Sequence, residues 1–323
     1  MNLSRAMHRS AAAAAMIAVA AIYVLATAGI DRPLPPMGPQ GICLPPPELW
    51  AIPRWADLAG GVVLNALMLA AMAALNTAFN VLRSNTRLQL GLFAIMAAAV
   101  PPLVVNVSSG ILLALSVVGC IYLLFSCYAS PGLTRRVFLA FMILSAGASF
   151  EYAFAVFIPV LWLVVAQMRI FSLRTMMASL LGVATPWVIL LGFCIVDPAD
   201  FHLPHIEGIF STFAEDWALF LLAISLFTAF LLVIAVVLNL SRTIASNARA
   251  RAFNGSLTLV ALITMMAIAV NYNNLPAYLP LLNMCAAFQI THWLVNHRFE
   301  RQYLAVLAII FFYLAFYLWR IIL

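Results

Sequence analysis

Lysine is absent from this chain, and charge of either sign is scarce. Only 8% of the 323 residues are charged, against about 25% in a soluble domain. No stretch is polar enough to form one. All sixteen basic residues are Arg. They are scattered in pairs between apolar runs, which excludes the continuous basic surface that nucleic-acid binding needs and matches a membrane topology signal. The five cysteines, Cys43, Cys120, Cys127, Cys194 and Cys285, include no C-x-x-C pair. A zinc or iron–sulfur site is therefore unsupported. No P-loop, G-x-S-x-G, H-E-x-x-H or dinucleotide fingerprint occurs. No internal repeat can be aligned.

What is present is apolar: 66% of the chain is hydrophobic. A bilayer core needs about 20 apolar residues per helix, and the chain supplies that many times over. The fold expected is all-α, a single integral membrane domain over residues 1–323 with about eleven transmembrane helices. The first apolar run, Ala11 to Ala28, follows Arg5 and Arg9. Ala26-Thr27-Ala28 resembles a signal-peptidase site, but the run is long for a signal and reads as an uncleaved first helix. The remaining spans are expected near 59–82, 88–106, 109–129, 137–150, 151–168, 176–196, 217–240, 253–271, 275–296 and 303–321. Residues 30–58 form a proline-rich loop, with eight prolines between Pro33 and Pro53, so it is extended or turn-like. A second, acidic loop covers 197–216. Pro101-Pro102 and Pro186 fall within spans.

The charges thread this pattern. With the N-terminus in the cytoplasm, the cytoplasmic segments hold Arg5, Arg9, Arg83, Arg87, Arg135, Arg136, Arg169, Arg174, Arg242, Arg249, Arg251, Arg298 and Arg301, thirteen of the sixteen. Nine of the ten acids fall on the other side; Glu300 is the exception. The Arg bias sets the orientation: N-terminus cytoplasmic, C-terminus on the outer side. The lone Glu151 sits between two apolar runs. Merging those runs into one span would invert everything after it and put Arg169, Arg174, Arg242, Arg249 and Arg251, among others, outside, so Glu151 is expected at the outer tip of a tight hairpin.

The candidate sites follow from that placement. Asp31, Asp57, Glu151 and Asp197 are carboxylates on one side of the membrane, able to act as a general base or to hold a metal against a diphosphate. Asp31 and Glu151 are the catalytic candidates. Glu151 stands out because its turn is too short to hold it far from the bilayer. Arg32 and Arg54, with Asp57, are candidates for binding a lipid-linked substrate through its phosphate. The competing reading is that these acids cap helix ends and follow the topology. In the acidic loop, Asp200, His202, His205 and Glu207 are competent ligands for a divalent metal, although their spacing matches no defined motif and a solvated loop explains them equally. Asn65, Asn76, Asn80, Asn106, Asn283, Gln289 and His292 lie within spans, where such groups bond between helices. Asn271-Tyr-Asn-Asn274 reads as an outer turn. Cys43 and Cys194 both reach the oxidising side, so a bridge between them is open. No charged residue is expected near the bilayer centre, which weighs against an ion-coupled transporter.

From about Asn80 onward the chain resembles an uncharacterised polytopic inner-membrane family of Bacteroidota. The similar pieces are Asn80-Val-Leu-Arg83 with Arg87, the hairpin from Arg135 to Trp162, Arg169-Ile-Phe-Ser-Leu-Arg174 followed by Gly182 to Pro186, and Pro280-Leu-Leu. That resemblance implies a compartment and no chemistry. A looser likeness of architecture is to multi-span glycosyltransferases that use lipid-phosphate sugars. It implies a catalytic acid in the first outer loop, where Asp31, or else Asp57, would stand. The chain departs from that pattern in its short outer loop and in lacking a large soluble domain. The functional expectation is an integral membrane protein, favoured as such an enzyme acting at the outer face. A transporter with broken helices at Pro101-Pro102 or Pro186 and a non-catalytic scaffold are the alternatives.

Overall fold

The computed structural model describes residues 10–27, 41–84, 87–130, 132–202, 216–244, 246–296 and 302–322. Among these residues are twelve α-helices and no strand. They are α1 (Ser10–Thr27), α2 (Arg54–Phe79), α3 (Leu88–Ala98), α4 (Pro102–Val105), α5 (Ser109–Phe125), α6 (Thr134–Ala148), α7 (Tyr152–Gln167), α8 (Leu173–Gly192), α9 (Asp216–Ile244), α10 (Ala248–Val270), α11 (Leu275–Asn296) and α12 (Gln302–Ile322).

A helix lies at each place where the sequence pattern expects one, and one of those places is broken in two. The run 88–106 folds as α3 and α4 because Pro101 and Pro102 supply no N–H to carry the ladder. α8 runs through Pro186 without a break. Before it the Val183 carbonyl also accepts the Ser145 hydroxyl at 2.6 Å, a bond that ties α8 to α6.

The helices α9 and α11 show how the bundle is sorted. On α9, Leu226, Phe230, Val233, Val237 and Leu240 recur at spacings of three and four and are all exposed. The opposite face buries Phe220, Ile224, Thr228, Leu232 and Asn239. Polar groups point in and bulky apolar groups point out, the arrangement stable in hydrocarbon. Arg54–Phe79, Leu173–Gly192, Leu219–Leu240 and Ala248–Val270 are each long and apolar enough to cross a membrane. At about 1.5 Å per residue, 20 residues span about 30 Å. α11 is buried at every residue from Leu275 to His292, surrounded by α3, α5, α9 and α10.

The connections gather at two ends. At one end Ala129 N–H donates to the Met168 carbonyl at 3.1 Å, and an Arg83 guanidinium N–H donates to Asn247 Oδ1 at 3.5 Å. Arg135, Arg136, Arg169, Arg174, Arg249 and Arg251 belong to the helix ends there. The other end collects the segments 41–53, 106–108, 149–151, 193–202 and 271–274, with the acids Glu48, Asp57, Glu151 and Asp197. The α6–α7 connection is a turn of three residues, so the hairpin at Glu151 is real.

Candidate functional site

The acidic end of the bundle is built around the turn Ser149–Glu151. Glu151 has extended backbone and caps α7: its Oε1 accepts from the Ala153 N–H at 3.3 Å. A carboxylate suits that place because the first amides of a helix have no partners of their own. The same Oε1 accepts from Asn274 Nδ2 at 2.7 Å, tying the turn to the 3₁₀ segment Tyr272–Asn274 that precedes α11. Gly147 lets the hairpin close, since the Phe154 ring lies 2.0 Å from where a Cβ would stand.

Glu151 is not an exposed tip. It is 1% exposed, because the first loop folds over it. The amides of Cys43 and Leu44 both donate to the Ser149 carbonyl, at 3.1 and 2.9 Å. Trp50 packs edge-on against Phe150 at 6.1 Å between centroids and donates its indole N–H to the Pro45 carbonyl at 3.0 Å. Glu151 keeps its place in the hairpin turn, but a contact from a hundred residues upstream takes it out of solvent.

That loop also delivers Glu48. From the 3₁₀ turn Pro47–Leu49, its Oε1 accepts from Ser109 N–H at 2.6 Å and Ser109 Oγ at 2.7 Å. This places a negative charge on the positive end of α5. Gly110 next to it lies beneath the Pro276 carbonyl, 2.5 Å from a notional Cβ, so the starts of α5 and α11 meet here. The chain of contacts from Glu48 through Ser109, Gly110, Pro276 and Asn274 to Glu151 brings the two acids together. Burial pushes the Glu151 carboxyl from its ordinary 4.5 up to about 8. The Asn274 and Ala153 bonds pull it back, and the nearby Glu48 charge pushes it further up. The group is therefore mostly protonated at neutral pH and can give or take a proton there.

Several polar atoms of this end have no partner. Glu48 Oε2, Tyr152 Oη, Asn271 Oδ1 and Asn274 Oδ1 are all buried without a hydrogen-bond partner. A buried acceptor without a donor costs about 1–3 kcal/mol, so the segments of this end carry several unmet oxygens.

The other expected residues fall elsewhere or outside the description. Asp57 Oδ1 accepts from Val107 N–H at 2.7 Å, which ties the start of α2 to the connection between α4 and α5. Arg54 is exposed in the first turn of α2. Asp200 closes the 3₁₀ turn Pro198–Asp200, and His202 is exposed with its backbone N–H on the Ile42 carbonyl at 2.9 Å. Asp31, Arg32, His205 and Glu207 lie outside the described residues. Among the described residues no three of His, Cys, Asp and Glu cluster as metal ligands. All five cysteines are free thiols. Glu48 and Asn274 were missed as site residues. The run Asn271-Tyr-Asn-Asn274 directly before an apolar helix was the signal, but it read as a plain turn.

A second polar group holds the far half of α11. Asn239 Nδ2 donates to the Gln289 carbonyl at 2.9 Å and to its Oε1 at 3.1 Å, and Gln289 Nε2 donates to Thr258 Oγ1 at 3.1 Å. Ser256 Oγ donates to Gln167 Oε1 at 2.7 Å. These bonds join α7, α9, α10 and α11 as interhelical glue. Gln289 is fifteen residues beyond Asn274, about 22 Å along the helix, so this group is separate from the acid site.

The fold and site together define a helical-bundle membrane protein with a buried carboxyl, Glu151, and the half-buried Glu48 at one end. No family model, no curated protein and no solved structure matches the chain.

Proposed function

We propose that the protein is a multi-pass protein of a bacterial inner membrane, N-terminus cytoplasmic and C-terminus periplasmic, that acts on a lipid-linked sugar at its outer face in the manner of a glycosyltransferase. The observation that carries this is the convergence of Glu48, from the first loop, on Glu151, from the α6–α7 turn, at the acidic end of the bundle. The orientation is supported by the sorting of the ends: the Arg-bearing turns meet at one, and the acid-bearing loops at the other. In the reaction the ionised form of Glu151, which grows as pH rises toward 8, takes the proton of the acceptor hydroxyl. The acceptor oxygen then forms its bond to the anomeric carbon as the bond from that carbon to the lipid phosphate breaks, and the phosphate leaves with the lipid. Glu48, held on the α5 terminus, fills the place of the first-loop acid, and Arg32 and Arg54 are the residues proposed to bind the phosphate.

The test is transfer from polyprenyl-phosphate sugars by the purified protein in nanodiscs. Glu151→Gln is expected to lower kcat by about 100-fold or more, the size of a lost general base, with donor binding retained. A wild-type protein that neither transfers nor hydrolyses any such donor would sink the reading.

One observation favours a different class. The interruption between α3 and α4 at Ala99–Pro101 is the kind of broken helix that transporters place at a substrate site. Uptake of labelled solute by proteoliposomes, abolished by restoring helix through Pro101 and Pro102 to Ala, would support that alternative.

A further inference from the structure

We propose that the acidic end holds a hard divalent cation, of the calcium, magnesium or manganese class, on Glu48 Oε2 and the amide oxygens Asn274 Oδ1 and Asn271 Oδ1, with the Glu151 carboxylate beside it. Each of the first two groups is pinned by one atom and offers the other. Glu48 is fixed through Oε1 by both Ser109 donors, which leaves Oε2 buried and unpartnered. Asn274 is fully buried and fixed through Nδ2 on Glu151, which leaves its Oδ1 on the same carboxamide without a donor. Asn271, in the turn whose carbonyl takes the Asn274 N–H at 3.3 Å, adds a third such oxygen.

Oxygen alone is what such ions select. They take carboxylates, amide carbonyls and water, and six or more oxygens in all. Three protein oxygens leave room for water or a substrate phosphate. The set contains no nitrogen or sulfur, which argues against zinc and copper. A soluble helix-capping role explains one oxygen of Glu48 and one atom of Asn274, but it leaves the buried second atoms unexplained. A cation held among them would give these oxygens a partner beside the Glu48 carboxylate, in a site with no Lys or Arg among the contacts described.

This inference uses the same residues as the proposed reaction but does not require it, so it is tested without any sugar donor. The full chain in nanodiscs is stripped with chelator and titrated with Mn²⁺, followed by electron paramagnetic resonance, and with Ca²⁺, followed by calorimetry. One saturable site per chain is expected, with Kd at or below about 1 mM, the weak end for extracellular calcium modules. Glu48→Gln and Asn274→Leu should each weaken it by about tenfold or more, while Asp57→Asn leaves it unchanged. No saturable binding by the wild type up to about 10 mM overturns the proposal whatever the variants do. So does a site that is indifferent to both substitutions. Binding without sugar transfer would defeat the enzyme reading alone, and sugar transfer by a chain that shows no saturable ion binding would defeat this one alone.

Discussion

Glu151 should make the protein less stable as pH rises, the reverse of an ordinary surface carboxylate. Its folded-state value is raised from 4.5 to about 8 by burial. Between those two values the unfolded chain has released a proton that the folded chain still holds. Stability therefore falls across this window, is unaffected by this group below about pH 4.5, and levels off above about pH 8. Each pH decade is worth about 1.4 kcal/mol, so the loss is at most about 5 kcal/mol, and a few kcal/mol once burial relaxes. Glu151→Gln removes the ionisation while its amide oxygen can still accept from Asn274 and Ala153. The assay is unfolding in mild detergent with chelator present, followed by tryptophan fluorescence from pH 4 to 9. The difference between variant and wild type should be near zero at the acid end, grow in the variant's favour to about pH 8, and then stay flat. Parallel curves would refute the burial argument. A variant that loses ground as pH rises would show that the carboxylate is ionised and well bonded in the folded state.

Three other outcomes follow from the same contacts. Glu48→Ala removes the acceptor for both Ser109 donors at the start of α5 and should cost about 1–3 kcal/mol, with Glu48→Gln recovering most of it in the same unfolding assay. Gly110→Ala puts a methyl against the Pro276 carbonyl, a backbone atom 2.5 Å away; a loss of about 1–3 kcal/mol is expected, whereas Gly119→Ala, with nothing near its Cβ position, should be neutral or mildly stabilising. In intact spheroplasts, an impermeant maleimide should label Cys194, an exposed thiol at the acidic end, before any other cysteine; labelling of Cys194 only in inverted vesicles would reverse the assigned orientation.

The helices and their alternation were legible because the signals for them are local and additive. A run of apolar residues is a helix in lipid wherever it falls, and an Arg pair retards its own loop. The demand that Glu151 mark a real turn came from counting Arg, and the turn is there. The broken helix was not legible. Pro159, Pro186 and Pro280 each lie inside an unbroken helix, whereas the pair Pro101-Pro102 interrupts one, and the apolar runs around them do not tell the cases apart. The same limit governs the site. Asp57 and Glu48 are both acids flanking one loop, yet each is claimed by a different amide of the segment 107–109. Which of them keeps an oxygen free depends on where that segment lies. Glu151 was found by its isolation between apolar runs, but its burial and its partner Asn274 come from chain more than a hundred residues away on either side. A lone charge in a membrane sequence thus says where a turn must be. Whether it also does chemistry is decided by which distant loop closes over it, and here the closing loop brings a second carboxylate with it.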